Sequence, residues 1–131
     1  MRVLLVAASC ALLAGCATSW PRTELYQGIP QPEGPGSNSV NPAERPTNVM
    51  LARRVQTLFP VGSREDALVR WLGVQGMTVE RNTREDGNTH GRGVRYLGSW
   101  PCDRSVRVRW SATGEGLIQS ITADEGDSGC L

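Results

Sequence analysis

Residues 106–121, VRVRWSATGEGLIQSI, decide the fold of this chain. Apolar side chains alternate with arginines in the first five residues, which is the period of a β-strand with one buried face and one solvated face. Glycines and polar residues then predict a turn, and a second apolar run begins at Leu117. The apolar residues of that run do not alternate cleanly, so we expect a β-bulge in it. The stretch therefore predicts a β-hairpin whose first strand carries Arg107 and Arg109 on its solvated face.

The chain upstream of this hairpin predicts two helices and two further strands. Leu51, Val55 and Leu58 recur at helical spacing until Pro60 ends the pattern. A second helix follows, with Ser63 as its expected N-cap and acidic residues in its first turn. After that helix the period changes from helical to alternating. The expected fold class is α+β: two N-terminal helices followed by a three- to four-stranded antiparallel meander, after a disordered linker.

The first sixteen residues contain a targeting signal. Arg2 precedes an apolar run that is too short to span a bilayer. The run ends in Leu13-Ala14-Gly15-Cys16, which resembles the lipobox of bacterial lipoproteins. The resemblance implies that residues 1–15 are a cleaved signal peptide and that a diacylglyceryl group joins the Cys16 thiol. The alternative is an ordinary signal peptide that ends at a chance cysteine. Ala17, in place of aspartate, favours the outer membrane.

Residues 16–46, which comprise the lipidated cysteine and a Pro-rich tether, differ in composition from the rest of the chain. Six of the eight prolines lie there, together with glycine and serine and little apolar periodicity. Such a segment buries too little apolar surface to offset the entropy lost on ordering, so we expect a disordered tether. Residues 47–131 are then a small α+β periplasmic domain.

The mature chain lacks the excess of positive charge that is typical of nucleic-acid-binding proteins. Without Arg2, 13 arginines face 13 acidic residues, and the chain has no lysine. No glycine-rich phosphate loop is present either, because HGRGVR lacks the lysine of a P-loop. We expect no cofactor and no small-molecule substrate.

Two cysteines remain after processing. Cys10 leaves with the signal peptide and Cys16 carries lipid, so Cys102 and Cys130 most simply pair in an oxidising periplasm. A disulfide that closes a loop of about 28 residues stabilises a fold by roughly 3–4 kcal/mol on the chain-entropy model.

Two polar motifs of the sequence are candidate sites of chemistry. Ser128 lies in GDSG, the tetrapeptide around the nucleophile of chymotrypsin-like proteases. A nucleophilic serine needs a positioned base, and the only histidine, His90, falls in a segment expected to be a loop. Only Asp86 is near enough to join His90 in a metal site, which is too few ligands. We therefore predict no catalytic residue, no metal site and no enzymatic activity, with Gly126 and Gly129 forming a turn that lets Cys130 reach Cys102.

The order of elements resembles the small outer-membrane lipoproteins of the SmpA/OmlA (BamE-like) group. The likeness lies in the lipobox, the helix opening VGSREDALVRWLG and the hairpin VRVRWSATGEGLIQSI, and it covers about the last seventy residues. It implies two helices packed with a three-stranded antiparallel sheet. The chain departs from the group in two places. Its second helix ends in Leu72-Gly73-Val74-Gln75, where the group has Leu-Gly-x-Pro, and the pair Cys102 and Cys130 is an addition. Domains like those of β-lactamase inhibitors share the same layout.

The sequence thus predicts an outer-membrane lipoprotein whose domain faces the periplasm, with surface exposure left open, and whose role is a non-catalytic envelope interaction or scaffold. Its expected partners are the membrane, through the lipid anchor, and envelope proteins. The alternative is a tethered inhibitor of a periplasmic or incoming enzyme, such as a lysozyme or protease, that uses the exposed loop 82–92. Trp100, Arg107 and Arg109 are the candidate interaction residues, because tryptophan and arginine are enriched at binding hot spots.

Overall fold

The computed structural model describes residues 24–29, 44–97 and 102–130. In these segments, two helices and four strands follow a 3₁₀ turn at Glu24–Tyr26. The bounds are α1 Pro46–Leu58, α2 Glu65–Val74, β1 Thr78–Thr83, β2 Thr89–Tyr96, β3 Cys102–Ala112 and β4 Ile118–Cys130. The strands form one sheet in the order β1-β2-β3-β4, and every neighbouring pair is antiparallel. The expected α+β class is confirmed. None of the helices in the described segments has the length and hydropathy that a membrane span requires.

The core lies between the helices and one face of the sheet. Val106 and Val108 of β3 are fully buried, and Trp110 is almost so, whereas Arg109 between them is exposed. The alternation in the sequence therefore reports the two faces of β3 correctly. The helices contribute further buried side chains: Leu51, Val55, Leu68 and Leu72.

The C-terminal end of α1 and the N-terminal end of α2 differ from what the sequence predicts. Leu58, expected in the buried stripe of α1, is 37% exposed. The N-cap of α2 is Arg64 rather than Ser63, and it makes no side-chain capping bond. The reason is tertiary: the carbonyl of Ser63 accepts a hydrogen bond from the backbone N–H of Ile118, and Arg64 forms an isolated bridge with Leu117. The chain before α2 is therefore held by the start of β4.

Glycines in β2 make room for the core. A Cβ atom at Gly91 would lie 2.0 Å from an indole carbon of Trp110, and one at Gly93 would lie 3.1 Å from a methyl group of Leu72. The sequence HGRG was expected in a loop, but it belongs to this strand. Its glycines are explained by the close approach of the indole and leucine side chains to the sheet.

Helix α1 covers the outer edge of β4. The side chain of Asn48 binds the backbone of Glu125 twice, accepting from its N–H at 2.7 Å and donating to its carbonyl at 3.1 Å. Eight residues further along α1, Gln56 donates to the carbonyl of Ile121 at 3.2 Å. Eight helical residues rise about 12 Å and four strand residues about 13 Å, so the two spacings match. The helix thus satisfies polar groups that an edge strand would otherwise leave open.

Strand β4 is longer than expected and runs to Cys130. Its pairing with β3 shifts register between Ser111 and Ala112, which confirms the bulge expected in this strand. A second shift falls between Asp103 and Arg104, where Ser128 is the extra residue. The prediction of a terminal turn around GDSG is wrong, because the backbone there is part of the sheet.

Residues 24–29 do not behave as part of an open tether. Leu25 is 1% exposed and Ile29 is 7% exposed, and both belong to the core cluster. The expectation that nothing in residues 16–46 packs on the domain is therefore wrong for this segment. Its few apolar side chains gain burial from the surrounding elements rather than from a local period.

Candidate interaction surface

The face of the sheet that is turned away from the helices carries polar and charged side chains. Cross-strand neighbours point to the same face, so the register defines its rows. One row is Thr78, Val94, Arg107 and Asp124, and the next is Glu80, Arg92, Arg109 and Thr122. We call these eight positions the open face. Arg92, Arg109 and Thr122 are exposed to solvent, as a surface that binds a partner must be.

Asp124 joins the two predicted interaction arginines. Arg107 donates to its Oδ2 from Nε at 3.0 Å and from Nη2 at 2.5 Å, and Arg109 donates to its Oδ1 from Nη2 at 2.6 Å. The side chain of Asp124 is only 17% exposed, whereas that of Arg109 is 58% exposed. One carboxylate thus orients two guanidinium groups, and the cluster keeps a net positive charge.

Gly126 has a steric role beside this cluster. A Cβ atom there would lie 2.9 Å from Nη2 of Arg107, so the absence of a side chain lets the guanidinium lie over the strand. This glycine opens the GDSG sequence. Its place next to Arg107 explains the residue without any reference to a nucleophile.

Tyr96 extends the open face towards the end of β2. Its side chain is 68% exposed and stands opposite Ser105 in the sheet. Exposed tyrosine beside arginine is a composition typical of protein–protein interfaces. Trp100, the third predicted interaction residue, lies outside the described residues. Trp110 of β3 is buried and donates its indole N–H to the carboxylate of Glu65 at 2.8 Å.

A buried carboxylate that the sequence analysis did not identify lies on the opposite face. Glu125 is 5% exposed; its side chain pairs with Arg104 and accepts a hydrogen bond from the hydroxyl of Tyr26 at 2.9 Å. Burial, followed by the charge of Glu125 and the hydrogen bond to it, raises the pKa of Tyr26 far above its ordinary value. Tyr26 therefore remains a donor at any physiological pH. The alternation of Ile121, Ala123 and Glu125 could have placed this carboxylate inside.

The register places Cys102 directly opposite Cys130. Such pairs in antiparallel strands have Cα atoms about 4.5 or 5.5 Å apart, and both values lie within the range that a disulfide spans. The description of these two residues extends only to their backbone, so the disulfide stays a prediction.

The same register separates Ser128 from His90. His90 lies in β2 rather than in a loop, and it aligns with Ser111 and, through it, with Ser120 of β4. Eight residues of strand, or about 26 Å, separate that position from Ser128. A base–nucleophile pair between them is excluded on this backbone. Within the described residues, no group of three or more His, Cys, Asp or Glu side chains could hold a metal ion.

Comparisons of the chain with protein-family models, with curated proteins and with solved structures find no match. The likeness to the SmpA/OmlA group and the lipobox therefore stay predictions from the sequence.

Proposed function

We propose that this chain is an outer-membrane lipoprotein whose domain faces the periplasm and binds other envelope proteins, without catalysis, through the open face. The observation that carries the proposal is the cluster of Arg107, Arg109 and Asp124. An antiparallel sheet with helices on one side leaves its other face to water or to a partner.

The cluster is suited to recognition because its arginines are held before binding. Asp124 fixes both guanidinium groups, so a partner would immobilise fewer free rotamers than it would on a flexible surface. Arg92 stands opposite Arg109 in the register and adds a third guanidinium to the face. The open face therefore favours a partner surface that presents carboxylates.

Site-specific crosslinking tests this role in the native envelope. The chain has no lysine, so a photo-reactive residue is placed at Thr122, which is exposed and opposite Arg109. Arg109→Glu reverses a charge on the open face, and Arg53→Glu is the matched control on an exposed position of α1. We expect Arg109→Glu to reduce the crosslinked partner at least tenfold, or about 1.4 kcal/mol, and Arg53→Glu to leave it unchanged. Equal yields from both variants would contradict the assignment of the open face.

A second candidate function, a tethered enzyme inhibitor, is favoured by the turn between β1 and β2. The expected loop 82–92 is reduced to a tight turn at residues 84–88. Asp86 accepts a hydrogen bond from the backbone N–H of Asn88 at 2.9 Å, and that bond is the main cause of the lowered pKa of Asp86. Gly87 adopts a φ of 81°, which favours glycine. A rigid, exposed turn of this kind is suited to entering an enzyme cleft.

The inhibitor hypothesis is tested by titrating the purified protein into lysozyme and protease assays. Stoichiometric inhibition that is lost in Glu85→Arg would support it, with Glu115→Arg in the neighbouring turn as the control. Full activity of the enzymes at excess protein would exclude them as targets.

A further inference from the structure

Residues 24–29, which we call the strap, are held against the domain by apolar contacts. Leu25 and Ile29 are nearly fully buried in the same core cluster as the residues of α1, α2 and β3. These two buried aliphatic side chains favour the docked position of the strap, because detaching it would return both of them to water.

Polar contacts from α1, from α2 and its C-terminal end, and from β4 also hold the strap. The backbone N–H of Leu25 donates to the Gln75 side chain at 3.2 Å, and the Tyr26 hydroxyl donates to Glu125 at 2.9 Å. Arg54 of α1 donates to the carbonyls of Glu24 and Gln27, each at 2.6 Å, and the indole N–H of Trp71 donates to the Glu24 carboxylate at 2.8 Å. The strap is thus fixed by side chains from both helices and from the sheet.

We propose that the strap shortens the membrane tether and holds the domain close to the lipid surface. This inference rests on the proposed lipid anchor at Cys16. With the strap docked, only residues 17–23 connect the anchor to the domain, because residues 30–43 come after the strap in the sequence and add nothing to the distance between the anchor and the strap. Eight residue steps, from Cys16 to Glu24, span at most about 28 Å, and a random coil of seven residues averages about 15 Å. The thirty residues 17–46 would average about 30 Å.

The position of the strap also determines which end of the domain lies near the membrane. In the sheet, the strap contacts Glu125 of β4, which lies opposite Val106 of β3. The turns 84–88 and 113–117 lie beyond Ala112, which is six strand residues, or about 20 Å, along β3 from Val106, the partner of Glu125. The partners within reach are therefore proteins seated in the same membrane, integral or lipid-anchored, rather than components on the far side of the periplasm.

Two matched insertions test the strap without changing any packed residue. Twenty Gly-Ser residues are inserted between Thr18 and Ser19, upstream of the strap, or between Gly36 and Ser37, downstream of it. The lipidated full-length proteins are placed on supported bilayers of phosphatidylethanolamine and phosphatidylglycerol, and neutron reflectometry measures the gap between bilayer and protein. We expect the upstream insertion to widen the gap about twofold, from about 15 to about 29 Å, and the downstream insertion to leave it unchanged.

The outcomes separate the strap from the anchor on which it depends. If both insertions widen the gap equally, the strap does not hold the domain and the inference is overturned while the lipid anchor stands. If the wild-type protein forms no layer on the bilayer, the lipid anchor is overturned, and the short tether with it. A gap that responds only to the upstream insertion supports both.

Discussion

Replacing Leu25 by alanine measures how much the strap contributes to the stability of the domain. The side chain is 1% exposed, and the substitution removes three buried carbon atoms. At about 0.8 kcal/mol for each, the lost transfer energy is about 2.4 kcal/mol, and the cavity left behind adds to it. The loss of unfolding free energy cannot exceed the free energy with which the strap docks, because a strap that no longer gains from docking detaches while the rest of the domain stays folded. We expect the free energy of unfolding to fall by about 2–3 kcal/mol.

Urea unfolding followed by tryptophan fluorescence provides the assay, since Trp71 donates to the strap directly. Gln27→Ala is the control within the same segment, because the side chain of Gln27 is exposed and only its backbone carbonyl accepts a bond. The control should change the unfolding free energy by less than about 0.5 kcal/mol. If Leu25→Ala behaves like Gln27→Ala, the strap adds no stability and the domain boundary at residue 47 is correct after all.

Three further predictions concern the sheet, the anchor and the cysteines. Gly91→Ala should lower the free energy of unfolding by about 3 kcal/mol in urea titrations, because its Cβ would overlap the indole ring of Trp110. Gly73→Ala is the control: it has open space around it in α2 and should raise the free energy of unfolding by about 0.5–1 kcal/mol. Cys16→Ala should release the protein from the membrane fraction, from which the wild-type protein should be extracted only by detergent. Normal membrane retention of the variant would count against lipidation. Alkylation of the denatured, non-reduced protein should label neither Cys102 nor Cys130, and full labelling would disprove their disulfide.

The parts of the fold that could be predicted are those with a strong local period. The alternation from Val106 to Trp110 identified β3 and its two faces, because burial on one side of a strand repeats every second residue. The start of β2 at Thr89 was missed, and residues 82–92 were expected to form a loop, because this part of the strand has no strong local period. Gly91 and Gly93 have low strand propensity, and their presence depends on side chains from β3 and α2 that no local pattern reveals.

The candidate site, likewise, was predicted only in part. Arg107 and Arg109 followed from the period of β3, but Asp124 depends on the register between β3 and β4, which two irregularities set. A shift of one residue would have turned Asp124 to the other face. The strap was missed because six residues between prolines carry no recognisable period, and its burial comes entirely from distant contacts such as the pair of Tyr26 and Glu125.

The strap and the open face lie on different sides of the same sheet, and this arrangement links the two proposals. The strap binds Glu125, whose side chain points towards the helices, while the adjacent residue Asp124 points to the open face. Neighbouring residues of one strand thus bind the strap and orient Arg107 and Arg109, the two features on which the proposals rest. Because the strap lies on the helix side of the sheet, it does not cover the open face. A domain held close to the lipid can therefore still present Arg107 and Arg109 to a partner in the same membrane, and a longer tether would add reach without adding any contact.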